Sequence, residues 1–163
     1  MRLKNVFVMI SLLLTLSSCS FFNRKLLPEV TQIQVYKADR KLLLLHQNKV
    51  IKKYDFKLGF APVGHKEFQG DGKTPEGQYY IDRKNPKSQF YLSIGISYPN
   101  AQDRVKALAL GKDPGGDIFI HGTPKEYARS DKDWTWGCIA VTNREMDEIY
   151  EMVSIGTTIW IFP

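Results

Sequence analysis

Cysteine is scarce in this 163-residue chain, which has only Cys19 and Cys138. Two thiols cannot build a disulfide-stapled scaffold, so the fold must rest on a hydrophobic core. Histidine is nearly as rare, with three residues, and no Cys, His or carboxylate cluster has metal-ligand spacing. No metal and no other cofactor is therefore expected. No phosphate-binding loop is present either. Lys and Arg are scattered, without a basic block or aromatic interleaving, which excludes a nucleic-acid partner. No internal repeat and no low-complexity tract is visible, which leaves one globular unit. Apolar content of 43% and charged content of 25% are ordinary for such a domain.

The N-terminus has a directional layout. Arg2 and Lys4 make a cationic start, residues 6–16 are apolar apart from Ser11 and Thr15, and Ser17 and Ser18 follow. The apolar run is too short to span a bilayer comfortably, so residues 1–18 read as a secretory signal peptide. Its removal takes two cations and no acid, lowering the net charge from +6 to +4. Leu16-Ser17-Ser18-Cys19 resembles the lipobox of bacterial lipoproteins. That resemblance implies a lipid-modified Cys19, a membrane anchor, and residues 19–30 as a tether. With Ser20 after the cysteine it implies an exported protein facing the periplasm, held at the outer membrane. The rival is a plain signal peptide cut nearby. If Cys19 is acylated, Cys138 has no disulfide partner in an oxidising compartment.

From Thr31 onward the pattern is mainly β, in the α+β class. Ile33 and Val35 alternate with Gln32 and Gln34, which is strand periodicity. A turn is expected at Lys37-Ala38-Asp39-Arg40, then strands at 42–45 and 50–54. Residues 59–77 are rich in Gly and Pro and read as a long shaped loop of the kind that lines sites. Strands are expected at 79–82 and 90–97, and a helix over 100–110 with Asn100 as N-cap. A buried strand at 117–120 delivers His121 and Gly122. Thr142-Asn143-Arg144-Glu145 fits a capping box, with Met146, Ile149, Tyr150 and Val153 on one helical face. Gly156 is expected to stop that helix before a strand at 157–162.

The chemistry-bearing stretch runs from Asp117 to Asp147. His121 ends a strand, and Trp136-Gly137-Cys138 precedes a capped helix. A nucleophilic thiol needs a lowered pKa or an adjacent base, and an imidazole supplies either. Backbone N–H groups of Gly137 and Cys138 are candidates to receive an oxyanion. On spacing alone, an inert buried thiol is the stronger reading.

Gly70-Asp71-Gly72-Lys73-Thr74-Pro75-Glu76-Gly77, Ile120-His121-Gly122 and Gly137-Cys138 together resemble the L,D-transpeptidase (YkuD-type) family over roughly residues 31–163. The resemblance implies a β-sandwich or barrel with two or so short helices, one directly after the catalytic cysteine. It implies Cys138 as nucleophile and His121 as base, acting on peptidoglycan stem peptides. The thiolate attacks the carbonyl of the third residue, expels the terminal D-amino acid, and passes the acyl group to an amine of another stem or of an envelope lipoprotein. Candidates to line the cleft are Gly122, Thr74, Pro75, Gly77, Thr135 and Trp136. The common family pattern is Ser-His-Gly-Cys with Arg two positions on. Here those positions hold Thr135, Trp136, Gly137, Cys138 and Ala140. The Gly-Cys-Ile-Ala-Val-Thr segment resembles a subgroup that includes crosslink hydrolases. Two alternatives follow: a hydrolase on the same scaffold, and a non-catalytic cell-wall binding protein.

The weaker candidates have bland counterparts. Asp71 either binds a substrate amine or caps its own turn. His65 contacts substrate or is a solvated loop residue, and His46 is structural. Trp134, Tyr98 and Tyr127 either reach the cleft or pack against the core.

Overall fold

Alternating residues set the framework of this computed structural model, which describes residues 28–163. The signal-peptide and lipobox expectations, Cys19 included, lie outside those residues. Strand β1 (Gln32–Tyr36) buries Ile33 and Val35 and leaves its glutamines on the other face. β2 (Lys41–His46) returns antiparallel to it through the turn at 37–40, and β3 (Lys49–Asp55) continues the meander.

β4 (Gly77–Ser88) is far longer than expected. Its first residues pair with the C-terminal strand, and from Ile81 it pairs with β5 (Tyr91–Ile96). The expected strand ended at Asp82, and Pro86 beyond it removes a ladder donor. The register shifts between Asn85 and Ser88, and the proline sits in that irregular stretch, where β5 alone is the partner among the described residues.

Helix α1 (Ala101–Ala109) starts where expected, with a reciprocal capping box between Asn100 and Asp103. β6 (Phe119–His121) is shorter than expected at its start, since Asp117 adopts a positive φ of 53°. A single 3-10 turn at Lys125–Tyr127 leads on to β7 (Ile139–Ala140). Helix α2 (Asn143–Met152) carries the anticipated Thr142–Glu145 capping box and buries Met146 and Ile149. Val153 is already extended, so the helix stops before Gly156, which instead turns the chain into β8 (Thr158–Phe162).

The strand order is β3-β2-β1-β8-β4-β5-β6-β7. β1–β8 and β6–β7 are the parallel pairs. Just past β3, Lys57 exchanges two backbone hydrogen bonds with Ala140 on β7, at 2.8 and 2.9 Å. The two ends of the sheet are thereby joined, and the expected barrel-like, mainly β architecture with two helices is what forms. The core is Ile33, Leu42, Leu44, Tyr79, Ile81, Ile94, Ile120, Ile139, Ile159 and their neighbours, with α2 lying against β5 and β6.

The loop at 59–77 is tied down from inside. Lys37, only 2% exposed, donates to Gly64 O, Thr74 O and Glu76 Oε1, which uses all three of its N–H groups. Glu76 N donates to His65 Nδ1, and His65 Nε2 lies 3.1 Å from Asp103 Oδ1. Asp103 also accepts from the Tyr79 hydroxyl at 2.9 Å. Loop, β4 and α1 meet at this one carboxylate.

Candidate active site

The pairing of β6 with β7 brings the two chemistry-bearing segments together. Ile120 faces Ile139 and His121 faces Ala140 in a parallel register. Cys138 therefore stands one step ahead of β7, and Phe119 N–H donates to its Sγ at 3.4 Å. The thiol lies 3.5 Å from Asp117 O. His121 and Cys138 both line a cavity of about 280 Å³ whose rim is the β4–β5 hairpin at Ser88, Gln89 and Phe90. Cys138 also lines a second cavity of about 410 Å³, walled by Lys66, Gly70, Asp117 and Trp136. Cys138 thus borders two cavities.

His121 is 3% exposed. Its Nδ1 is 2.6 Å from Gly122 O. A carbonyl only accepts, so Nδ1 carries the hydrogen and Nε2 keeps its lone pair. Phe90 stacks on the ring at 4.7 Å between centroids, and Trp134 meets it edge-on at 5.7 Å. Burial holds the imidazole pKa below 6.5, against the opposing pull of the Gly122 carbonyl. Burial likewise pushes the Cys138 thiol up to about 11, although the Phe119 N–H and the Lys66 charge favour the thiolate. Both shifts favour a neutral thiol beside a neutral imidazole.

The turn that carries Cys138 is built by two buried threonines. Thr135 Oγ1 donates to Cys138 O at 2.7 Å and accepts Gly137 N–H at 3.2 Å. Thr74 Oγ1 donates to Gly137 O at 2.8 Å. Both are structural supports under the turn, not walls of either cavity. Since Gly137 N–H is taken by Thr135, the backbone donor left for an oxyanion is that of Cys138. Gly137 has φ +125°, and a Cβ there would stand 2.5 Å from Lys73 O. Its glycine is demanded by this backbone contact and conformation.

Other candidates separate cleanly. Trp136 is 69% exposed, packs edge-on against Phe60, and lines the second cavity beside Cys138. Gly122 is buried, and a Cβ on it would collide with Asn143 Oδ1, so its role is to orient His121. Pro75 is buried, and Gly77 opens β4 on the exposed side; neither lines the two cavities at Cys138. Asp71 caps its own turn, accepting from the amides of Glu67, Phe68 and Lys73 and from Lys66. His46 Nδ1 is bound to Glu29 O. Tyr98 is buried with its hydroxyl on Pro114 O, and Tyr127 stacks on Trp134 at 4.1 Å.

Several contributors left no mark in the sequence. Phe90 reaches His121 only because β4 runs so far. Asp133 accepts Leu58 N–H at 2.8 Å and an Arg40 N–H at 2.7 Å, pinning the segment that enters the turn at Cys138. Ala140, where an arginine was the common pattern, lines a cavity of about 700 Å³ that Arg40 and Lys57 also line. A cation from the β1–β2 turn thus occupies the neighbourhood that β7 leaves uncharged. Among the described residues, no group of three or more His, Cys, Asp or Glu could hold a metal ion.

The profile of the YkuD family, the L,D-transpeptidase catalytic domain, matches residues 31–161. The chain is 31% identical over 139 residues to the protein of Escherichia coli strain K12 named "Putative L,D-transpeptidase YafK", covering 82% of this chain and 51% of that one. The helical cell shape determining protein Pgp2 from Campylobacter jejuni superposes with a TM-score of 0.64 at 28% identity, over 81% of this chain and 47% of its own. Bd1075 from Bdellovibrio bacteriovorus superposes at 0.62 with 26% identity, over 82% of this chain and 48% of its own. The chain spans about half the length of these relatives.

Proposed function

Because this chain belongs to the YkuD-type family of L,D-transpeptidase catalytic domains, we propose that it is a cysteine acyltransferase acting on peptidoglycan stem peptides, with Cys138 as nucleophile and His121 as general base. The observation that carries this reading is the cavity shared by those two side chains, with Nδ1 committed to Gly122 O so that Nε2 is the free base.

His121 Nε2 takes the thiol proton as Sγ attacks the carbonyl carbon of the third stem residue. The oxyanion is received by the Cys138 N–H. Collapse breaks the C–N bond, and the imidazolium returns its proton to the leaving D-amino acid amine. This leaves a thioester on Cys138. An amine of a second stem, or of an envelope lipoprotein, attacks that thioester with His121 again as base, forming an amide and restoring the thiol. The second cavity at Cys138 supports the reading, since donor and acceptor can occupy different cavities that Cys138 borders.

The test is incubation of the purified protein with sacculi, followed by muropeptide analysis. New diamino-acid-to-diamino-acid links that vanish with Cys138→Ala are expected. An unchanged pattern in Cys138→Ala refutes the assignment. Ala140 favours a second reading, in which water resolves the thioester and stems or lipoprotein links are cleaved. Loss of links without new ones would select it. A non-catalytic wall-binding protein would give no change at all.

Upstream of the described residues, the signal layout and Leu16-Ser17-Ser18-Cys19 support export and lipid anchoring through Cys19 at the periplasmic face of the outer membrane. Incorporation of labelled palmitate that is lost in Cys19→Ala tests this.

A further inference from the structure

Lys66 is a buried cation that the acyl-transfer scheme does not use. Its side chain is 3% exposed, yet it lines the same 410 Å³ cavity as Cys138. Among the described residues of that wall, Lys66 carries the positive charge and Asp117 the negative one. Asp117 is 88% exposed and is engaged by Arg83 at 2.9 Å.

The contacts of Lys66 do not account for it. An ammonium has three N–H donors. One goes to Asp71 Oδ1 at 2.8 Å and one to Phe68 O at 3.1 Å. The third has no acceptor among the described residues. Asp71 already takes three backbone amides of its own loop, from Glu67, Phe68 and Lys73. Burial raises the Asp71 pKa, but the Lys66 bond and these amides overcome it and leave the carboxyl below its ordinary value. A buried ion pair is a costly way to close a turn that its amides already close, and an apolar residue would be no worse. A charge kept there at that cost, with a donor unspent on a residue that lines the cavity of Cys138, fits an anionic ligand.

The ligand's chemistry follows from size. A carboxylate one residue beyond the attacked carbonyl lies about 4 Å from it, by the dimensions of a peptide unit. Lys66 and Cys138 line one cavity of about 410 Å³, which has room for that span. We propose that Lys66 is the carboxylate-recognising residue of the cleft, its third N–H receiving the free C-terminal carboxylate of a peptide that Cys138 attacks at the preceding carbonyl. The proposal rests on the acyl-transfer reading for its substrate. It makes the cleft selective for stems with a single residue beyond the scissile bond. Charge pairing inside a recessed site gives such selectivity more weight than it would have on the surface.

The experiment has two arms on the purified full-length protein. The first needs no turnover: Cys138 is alkylated by iodoacetate and by iodoacetamide at about pH 9, and the ratio of the two rates is taken. The thiolate fraction cancels in that ratio, which reports the attraction of a carboxylate to the cavity. It is expected to fall about tenfold in Lys66→Gln and to be retained in Lys66→Arg. An equal ratio in wild type and Lys66→Gln overturns the proposal. The second arm compares a tetrapeptide stem bearing a free C-terminal carboxylate with its carboxamide. Lys66→Gln is expected to lower kcat/KM for the acid and leave the amide unchanged. Equal loss on both marks a purely structural lysine and also overturns it. If the wild type turns over neither peptide, the acyl-transfer reading fails while the alkylation ratio still decides the role of Lys66. Should Lys66→Gln not fold, Lys66→Met combined with Asp71→Asn removes both charges together and carries the same comparison.

Discussion

Phe90, at the tip of the β4–β5 hairpin, stacks on the imidazole of His121 with 4.7 Å between ring centroids. The hairpin therefore controls how wet the base is. Burial is what holds His121 below 6.5. A base with a lowered pKa is neutral at pH 6.5 and is lost only as the pH falls further, so the acid limb of kcat/KM is expected below 6.5. Phe90→Ala admits water and is expected to move that limb upward by about half a pH unit. A pH–rate profile of both proteins checks this, and an unshifted limb would show that Trp134 and the strands alone keep the ring dry.

Cys138 should behave as a recessed thiol in the free protein. Its pKa of about 11 means that the proton stays on through neutral pH and leaves only in strong base. The rate of iodoacetamide labelling is expected to climb by about tenfold per pH unit from neutrality toward that value. A plateau near pH 8.5 would reveal a thiolate stabilised by the imidazolium. Slow labelling at neutral pH is thus compatible with a nucleophile, and it does not by itself mark an inert cysteine.

Thr74→Val removes the hydroxyl that holds Gly137 O at 2.8 Å. The buried carbonyl loses that donor, so stability is expected to drop by about 1–3 kcal/mol. Urea unfolding measures the loss. Because the Gly137 peptide carries Cys138, the proposed turnover on stem peptides should fall more steeply than the folded fraction does.

Asp133 and Arg40 are partners with unequal burdens. Asp133→Ala strands the Leu58 N–H as well as Arg40, and a cost of about 1–3 kcal/mol is expected. Arg40→Met leaves Asp133 its bond to Leu58, and Arg40 is one-third exposed, so less than about 1 kcal/mol is expected. Thermal unfolding of the two variants gives the order, and equal losses would mean that the ion pair, not the amide contact, holds the segment.

Local signals were read well because they are local. The alternation at Ile33 and Val35, the Asn100 N-cap and the Thr142–Glu145 capping box follow from residues within a few positions of one another. Cys138 and His121 stood out through short motifs, and the structure places them on one cavity. What the chain conceals is decided at long range. The bond from Thr74 to Gly137 spans 63 residues. Lys37 looks like a solvated turn residue until the loop at 59–77 folds over it. The length of β4 was hidden because Pro86 is tolerated only where the register slips and β5 alone is the partner among the described residues. Lys66 is indistinguishable from any surface lysine until its burial is seen.

β4 gives one face of its length to β8 and the rest to β5, so the half of the molecule around β1 and β8 and the half carrying the cleft share a backbone. Neither can melt without stripping the other of a ladder. With Lys57 clasping Ala140 at the far side, order is lost all at once or not at all. The described region should denature in one calorimetric step, its van't Hoff and measured enthalpies agreeing.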